Sequence, residues 1–513
     1  MNPRQIKTIT LDIQNMTLEE FVAISRYEAK VELSPAYCKR VVKSRRLVEK
    51  FLDERRIIYG VTTGFGDNYN KIILPEQAVT LQKNILRSHA CSLGEPLEKE
   101  VVRGILLMML QNLGQGYSGV QISTLECIVN LLNGGITPFA PRRGSVGYLA
   151  VEAHICLVLL GEGKAWYRGE LLNGSDALAA AGIRPIQLGC KEGLALVSGT
   201  TSVTAIAALA LFDAIKAAKT ADIAGAMSLE ALRGTIKAFD PRIQSVRPHE
   251  EQSMTARNVL RILNNSEIAD KYKDYRLQDA LSLRCIPQLH GAAKKTFKDA
   301  AKTIGVEMNS CCDNPIIYPE EDDGIALMGC NADSAYVGIE ADSMCIALTN
   351  IAKMSERRID RLINHHVSEL PPFLIENSGL NSGFMIPQYT AVGLLGEMRL
   401  LSTASTIDNT STCANQEDYI GMGYNASRKA YQSVQFLENI MAIEFLNAAQ
   451  ALEFLKPLNP SPATKTVYDL IRKEVPKVED DQQLYPFLEY ISEQIHQGEI
   501  IAVVEEVIGE LEF

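Results

Sequence analysis

The chain has 513 residues, 46% hydrophobic and 22% charged, with a formal net charge of −11. This is ordinary soluble composition, with length enough for one large core or several domains. The acidic balance argues against a nucleic-acid surface, which wants clustered Lys and Arg, and no unbroken apolar run reaches the ~18 residues expected of a membrane span.

The opening residues, Met1-Asn2-Pro3-Arg4-Gln5, are not followed by an apolar core of signal-peptide type. Eleven cysteines without regular spacing suit reduced thiols, so a cytoplasmic location is expected and no metal site. The vicinal pair Cys311-Cys312 reads as two small buried side chains. A short strand is expected at 7–11. Apolar residues near i, i+3, i+4 and i+7 predict helices over residues 77–92, 99–113, 120–132, 148–160, 193–224, 333–363, 391–405 and 427–455. Ala and Leu enrichment favours helix over strand there. In 193–224, Ala205, Ala207, Ala208 and Ala210 fall on nearly every face, the pattern of a helix buried on all sides. Asn459-Pro460-Ser461-Pro462 breaks the pattern before a charged helical tail, and Glu479-Asp480-Asp481 reads as a solvated turn. No repeat of 20–50 residues and no Pro- or Gly-rich linker divides the chain. The expected fold is mainly α, an elongated bundle of long helices, with residues 1–513 forming one intertwined chain.

Several loops carry chemistry. Tyr59-Gly60-Val61-Thr62-Thr63-Gly64-Phe65-Gly66 has three glycines, which alone means a turn. In Leu81-Gln82-Lys83-Asn84-Ile85-Leu86-Arg87-Ser88-His89, a lone helical His is by itself a satisfied side chain. Leu194-Ala195-Leu196-Val197-Ser198-Gly199-Thr200 and Gln278-Asp279-Ala280-Leu281-Ser282-Leu283-Arg284-Cys285 follow; Arg284 alone reads equally as a structural ion-pair partner. Gly329-Cys330-Asn331-Ala332 comes next, then Ala414-Asn415-Gln416-Glu417-Asp418-Tyr419, where Glu417 alone could cap a helix.

In this order the motifs resemble those of the aromatic amino acid lyases, and the Ser88-His89 and Glu417 positions resemble the histidine ammonia-lyase branch. The resemblance implies an all-α homotetramer whose active sites combine residues of several subunits and take a small-molecule substrate. It gives Tyr59 the removal of the substrate β-proton, which requires a pKa lowered from ~10 by nearby cations. It gives Arg284 the substrate carboxylate, and His89 and Glu417 an imidazole-type ring.

That family builds an electrophilic prosthetic group, 4-methylideneimidazol-5-one, from Ala-Ser-Gly after a Gly-Ser-Val-Gly run. Here Gly144-Ser145-Val146-Gly147 leads directly to Tyr148. Ser198, Leu281 and Asn331 also replace family residues of the site, Ser198 and Leu281 at positions that serve this group. Together the changes imply a chain that uses no cofactor, as in the ergothionase branch: β-elimination of trimethylamine from a histidine betaine such as ergothioneine, giving thiourocanate. Tyr148, Ser198 and Asn331 would then line the substrate pocket, Tyr148 facing the trimethylammonium group. The alternatives are a histidine ammonia-lyase whose matured tripeptide is absent from the written sequence, or an inactive lyase-shaped protein.

Overall fold

The computed structural model describes residues 2–12, 15–320 and 323–513. Long helices dominate, as the periodicity predicts. Thr201–Ala231, Ala335–Ile363 and Gly423–Glu453 have 31, 29 and 31 residues. Ala205, Ala207, Ala208, Ala210 and Ala214 are all fully buried on the first of these, because small side chains let neighbours approach a helix from every side. An 18-residue window within Glu192–Ala231 is apolar enough for a membrane span, but all of it is buried inside the chain.

The chain divides into two compact units. One comprises Met1–Phe212, Ala301–Ala341 and Ala404–Arg428; the other comprises Asp213–Ala300, Asp342–Thr403 and Lys429–Phe513.

In the first unit, helix Lys99–Gly114 is buried from Val101 to Gly114. Tyr37 donates its hydroxyl to the Leu110 carbonyl at 2.7 Å. The buried Arg103 reaches the Ile24 carbonyl at 2.8 Å and the Leu132 carbonyl at 2.9 Å. Both acceptors lie in the last turns of helices, Leu18–Ser25 and Ile122–Gly134, where carbonyls lack intrahelical partners and a cation is favourable. Four small sheets decorate this unit; the strand expected at 7–11 is Thr8–Leu11, parallel to Lys30–Leu33. Leu93–Pro96 pairs antiparallel with Pro141–Arg143 and so anchors the segment that leads into Gly144–Leu149.

The helix expected over 193–224 is broken. Glu192–Val197 ends at Ser198, which has extended backbone, and a new helix begins at Thr201. The cause is Gly199, at φ +112°, where a Cβ would press on Asn112 Nδ2 at 2.9 Å and the Cys312 carbonyl at 3.3 Å. Only glycine takes that conformation cheaply.

In the second unit, Arg358 and Glu444, neither exposed, form a two-pronged ion pair at 2.5 and 2.9 Å. Ser228 and Ser355 donate to the same carboxylate at 2.6 and 2.5 Å, so a charge that would be costly to bury is fully satisfied. Ser461 caps helix Pro462–Arg472, matching the break expected there. The turn at Asp480-Asp481 is a bound one rather than a solvated one. Asp481 accepts the Ser382 and Gly383 N–H groups, each at 2.8 Å, and Asp480 accepts from Asn381 at 3.1 Å.

Candidate active site

A cavity of about 1240 Å³ opens in the first unit. Its wall comes from six places: the 57–73 loop, the end of helix Ala78–His89, Gly144–Ala150, Leu194 with Ser198, Asn314 with Met328, Gly329, Cys330 and Ala332, and Thr412–Glu417. The loops expected to carry chemistry therefore converge, except residues 278–285, which lie in the second unit. Tyr59, His89, Tyr148, Ser198 and Glu417 all line the cavity. Asn331 does not; it is exposed, and its amide reaches the Cys311 carbonyl at 3.4 Å. Arg284 belongs to the second unit and lies outside the wall, its Nε buried without a hydrogen-bond partner.

Each site residue is held by the chain around it. Gly60, at φ +66°, admits the close approach of Leu194 and Phe65. Thr62 accepts the Ile58 N–H at 2.8 Å and donates to the Arg56 carbonyl at 2.9 Å, closing the loop on itself. Gln82, wholly buried, donates to the Gly60 carbonyl at 3.0 Å and accepts the Leu194 N–H at 3.1 Å. It ties two walls together, a role that sequence reasoning missed although Gln82 sits within a motif it singled out.

Tyr59 accepts the Gly66 N–H at 2.8 Å and meets the Phe65 ring edge-on. Burial first, then the charges of Glu417 and Cys413, raise its phenol above the ordinary value, against the lowering effect of the Gly66 N–H. The expected lowering by nearby cations is absent from this wall, because its one cationic side chain is the exposed Lys71. His89 Nδ1 lies 2.9 Å from Ser88 Oγ. Ser88 Oγ also lies 3.2 Å from the Ile85 carbonyl; with its hydroxyl donated there, it accepts from Nδ1–H and Nε2 is an acceptor. Burial lowers the His89 pKa, outweighing the Ile85 carbonyl and Glu417, and keeps the ring neutral.

Glu417 is the only carboxylate on the wall and makes no ion pair among the described residues. Its Oε2 accepts from Tyr148 and from Thr412, each at 3.2 Å. The same charge is felt at Tyr59, His89, Tyr148 and Cys330, so Glu417 sits at the electrical centre of the cavity. Sequence reasoning also missed that Cys91, Cys330 and Cys413, all exposed, line this cavity; scattered spacing gave no signal. Away from it, Asp213, Glu438 and His496 bring ligand atoms within 4.8 Å of one another, but the Lys216 ammonium is already 2.9 Å from Asp213.

The chain is mainly helical, and loops of its first unit bring a tyrosine, a histidine and a glutamate to one cavity. The aromatic amino acid lyase family model matches residues 16–473, and the chain belongs to that family. It is 44% identical over 501 residues to histidine ammonia-lyase of Symbiobacterium thermophilum, covering 97% of this chain and 98% of that one. It is 41% identical over 507 residues to histidine ammonia-lyase of Alkaliphilus metalliredigens, covering 98% and 100%. The crystal structure of histidine ammonia-lyase from Trypanosoma cruzi superposes with a TM-score of 0.91 at 33% identity, covering 97% and 95%.

These likenesses overturn the expectation of trimethylamine release from a histidine betaine. The ergothionase of Treponema denticola shares the fold, with a TM-score of 0.90, at only 26% identity, whereas the full-length relatives above are histidine ammonia-lyases. Of the changes read as one matched set, the missing tripeptide, Tyr148, Ser198 and Leu281, Tyr148 and Ser198 line the cavity, and Leu281 is 61% exposed in the second unit. The family's prosthetic group is a separate matter. It requires Ala-Ser-Gly after Gly147, and Tyr148 and Leu149 stand there instead, with the Tyr148 phenol bonded to Glu417. The residues present do not fit the group.

Proposed function

We propose that this chain is a carbon–nitrogen lyase that acts on an imidazole-bearing α-amino acid of the histidine type. The observation that carries this is the unpaired Glu417 carboxylate beside a neutral His89. Both present acceptors to the cavity. An imidazolium ring carries two N–H donors to match them; a phenyl ring has no donor and a phenol only one O–H. Histidine ammonia-lyase relatives along the whole chain support the same substrate class.

The chain's own residues then account for two tasks. Glu417 favours the protonated ring, and a cationic ring withdraws electrons from the adjoining β-carbon and acidifies its C–H. The bound cation also offsets the Glu417 charge that raises Tyr59, bringing the phenol toward use as the base that takes that proton. The amine leaves as the α,β double bond forms. Ser198 and Tyr148 line the rest of the pocket. Arg284 receives the substrate carboxylate within an assembled homotetramer with shared sites, a role that rests on the motif resemblance. Assembly is supported by Ile386, Tyr389, Val392 and Leu400, exposed along helix Met385–Leu401 at spacings that make an uncovered apolar face. Light scattering is expected to give the mass of four 56.5 kDa chains; a monomer refutes the assembly.

Incubation with L-histidine tests the reaction: ammonia and the ultraviolet absorbance of the conjugated imidazole acrylate should appear together. Glu417→Gln removes a charged acceptor worth about 1.5–3 kcal/mol, so histidine binding should weaken roughly 10- to 150-fold. Absence of both turnover and binding in the unmodified protein overturns the reading.

A further inference from the structure

The turn that carries Tyr148 is strained. Leu149 has φ 74° and ψ −66°, and the Ala150 N–H donates to the Tyr148 carbonyl at 3.0 Å. That is a γ-turn of the hand L-residues rarely adopt. Such a backbone persists only where its surroundings over-determine it, and it recurs at functional sites. The surroundings here do so. Leu149 N–H donates to the Val197 carbonyl at 3.0 Å. Ser145 Oγ accepts the Gly147 N–H at 3.2 Å and reaches the Tyr148 carbonyl at 3.4 Å. Gly147, at φ +139°, passes so near Ser334 that a Cβ would meet its Oγ at 3.0 Å.

The partner of the phenol hangs from a second strained turn. Cys413, Ala414 and Asn415, just before Glu417, have φ of 52°, 55° and 68°, and Thr412 N–H closes that loop on the Glu417 carbonyl at 2.8 Å. The two turns meet at one hydrogen bond, from the Tyr148 hydroxyl to Glu417 Oε2 at 3.2 Å. Thr412 occupies the same oxygen, so both protein donors fall on Oε2 and neither on Oε1.

We propose that Tyr148 is a positioning residue: its phenol, with Thr412, pins Glu417 Oε2 and leaves Oε1 to accept the N–H of the substrate ring. This rests on the reading of Glu417 as the ring acceptor. Tyr148 stands at the point where the family's tripeptide would begin, and here it supplies a fixed donor to the substrate-reading carboxylate. Burial and the Glu417 charge hold the phenol protonated, the only form in which it donates.

Calorimetric binding of L-histidine to the full-length protein tests this, with Tyr148→Phe, Glu417→Ala and the double variant. Tyr148→Phe keeps the ring and the packing, so its melting temperature should match that of the unmodified chain. Its affinity should fall about three- to tenfold, the loss of one hydrogen bond to a charged group that keeps a second donor. In the Glu417→Ala background the same change should have no further effect, because a residue that acts through another is silent once the other is gone. An unchanged affinity in Tyr148→Phe overturns the proposal, as does an equal loss with and without Glu417, which marks packing alone. If Glu417→Ala binds histidine as well as the unmodified chain, the reading of Glu417 has failed first. That result is distinct, because it appears without Tyr148 being changed.

Discussion

Lys191 and Asp313 form an ion pair of 2.5 Å in which neither side chain is exposed. The pair fastens two walls of the cavity. Lys191, at φ +71°, opens helix Glu192–Val197, which ends at Ser198, and Asp313 precedes Asn314, which lines the cavity. Lys191→Met keeps the length and apolar stem of the side chain but strands the carboxylate. Asp313 then retains the Asn314 N–H on Oδ1 at 2.7 Å, and its Oδ2 loses the lysine. Breaking a buried pair from one side costs about 3–5 kcal/mol, a large part of the ~5–15 kcal/mol that holds a domain folded. Lys191→Met/Asp313→Leu should cost much less, because removing both charges leaves no orphan. Urea unfolding followed by fluorescence suits the test, since Trp166 is the chain's single tryptophan and lies in the first unit. Histidine affinity measured without denaturant should fall in the single variant and recover in the double. A single-variant loss of about 1 kcal/mol or less, the scale of a surface pair, would refute the reasoning. So would a double variant as unstable as the single.

Gly66→Ala tests the contact between the two site loops. Gly66 sits at φ +55°, where a Cβ would overlap Cys413 Sγ, and an L-residue in that conformation costs about 1–2 kcal/mol. Its N–H holds the Tyr59 phenol, so stability and histidine binding should both drop. Gly66→Ala/Cys413→Ala should recover the steric part only, and equal losses in the two variants would count against the overlap. For His89, burial places the folded pKa below the ordinary imidazole value of about 6.5. The neutral acceptor is therefore retained as pH falls to 6.5, and histidine affinity attributable to this residue should decline only below that point. A His89 titration at or above 6.5, read by NMR of the ring, would contradict the assignment.

The helical half of the fold was legible because buried faces repeat every three to four residues, a signal that survives without knowledge of partners. Breaks within helices were less so. Ser198 and Gly199 lie inside an apolar run of helical character, and the interruption depends on Asn112 and Cys312 pressing against Gly199, which no local pattern reports. The turn at Asp480-Asp481 failed for the same reason: exposed composition conceals carboxylates that accept backbone N–H groups from Asn381–Gly383. That Tyr59, His89 and Glu417 share one cavity was legible through their motifs. Gln82 was not singled out, because a glutamine on a helix carries no sign that both ends of its amide are bonded across a cavity wall.

The misjudged leaving group shows where motif comparison loses depth. The missing tripeptide, Tyr148, Ser198 and Leu281 were weighed as equal members of one set, although a sequence gives no measure of which side chains share a wall. Likeness to histidine ammonia-lyases along the whole chain outweighs that set, so it no longer argues for a different amine. What remains is a local change, Tyr148 bonded to Glu417, next to residues that suit an imidazole ring. In the proposed reading, Glu417 and His89 bear on selectivity for the ring through their acceptors. A change at Gly147–Tyr148 would bear on it too, because the strained turn at Leu149 carries the Tyr148 phenol that donates to Glu417.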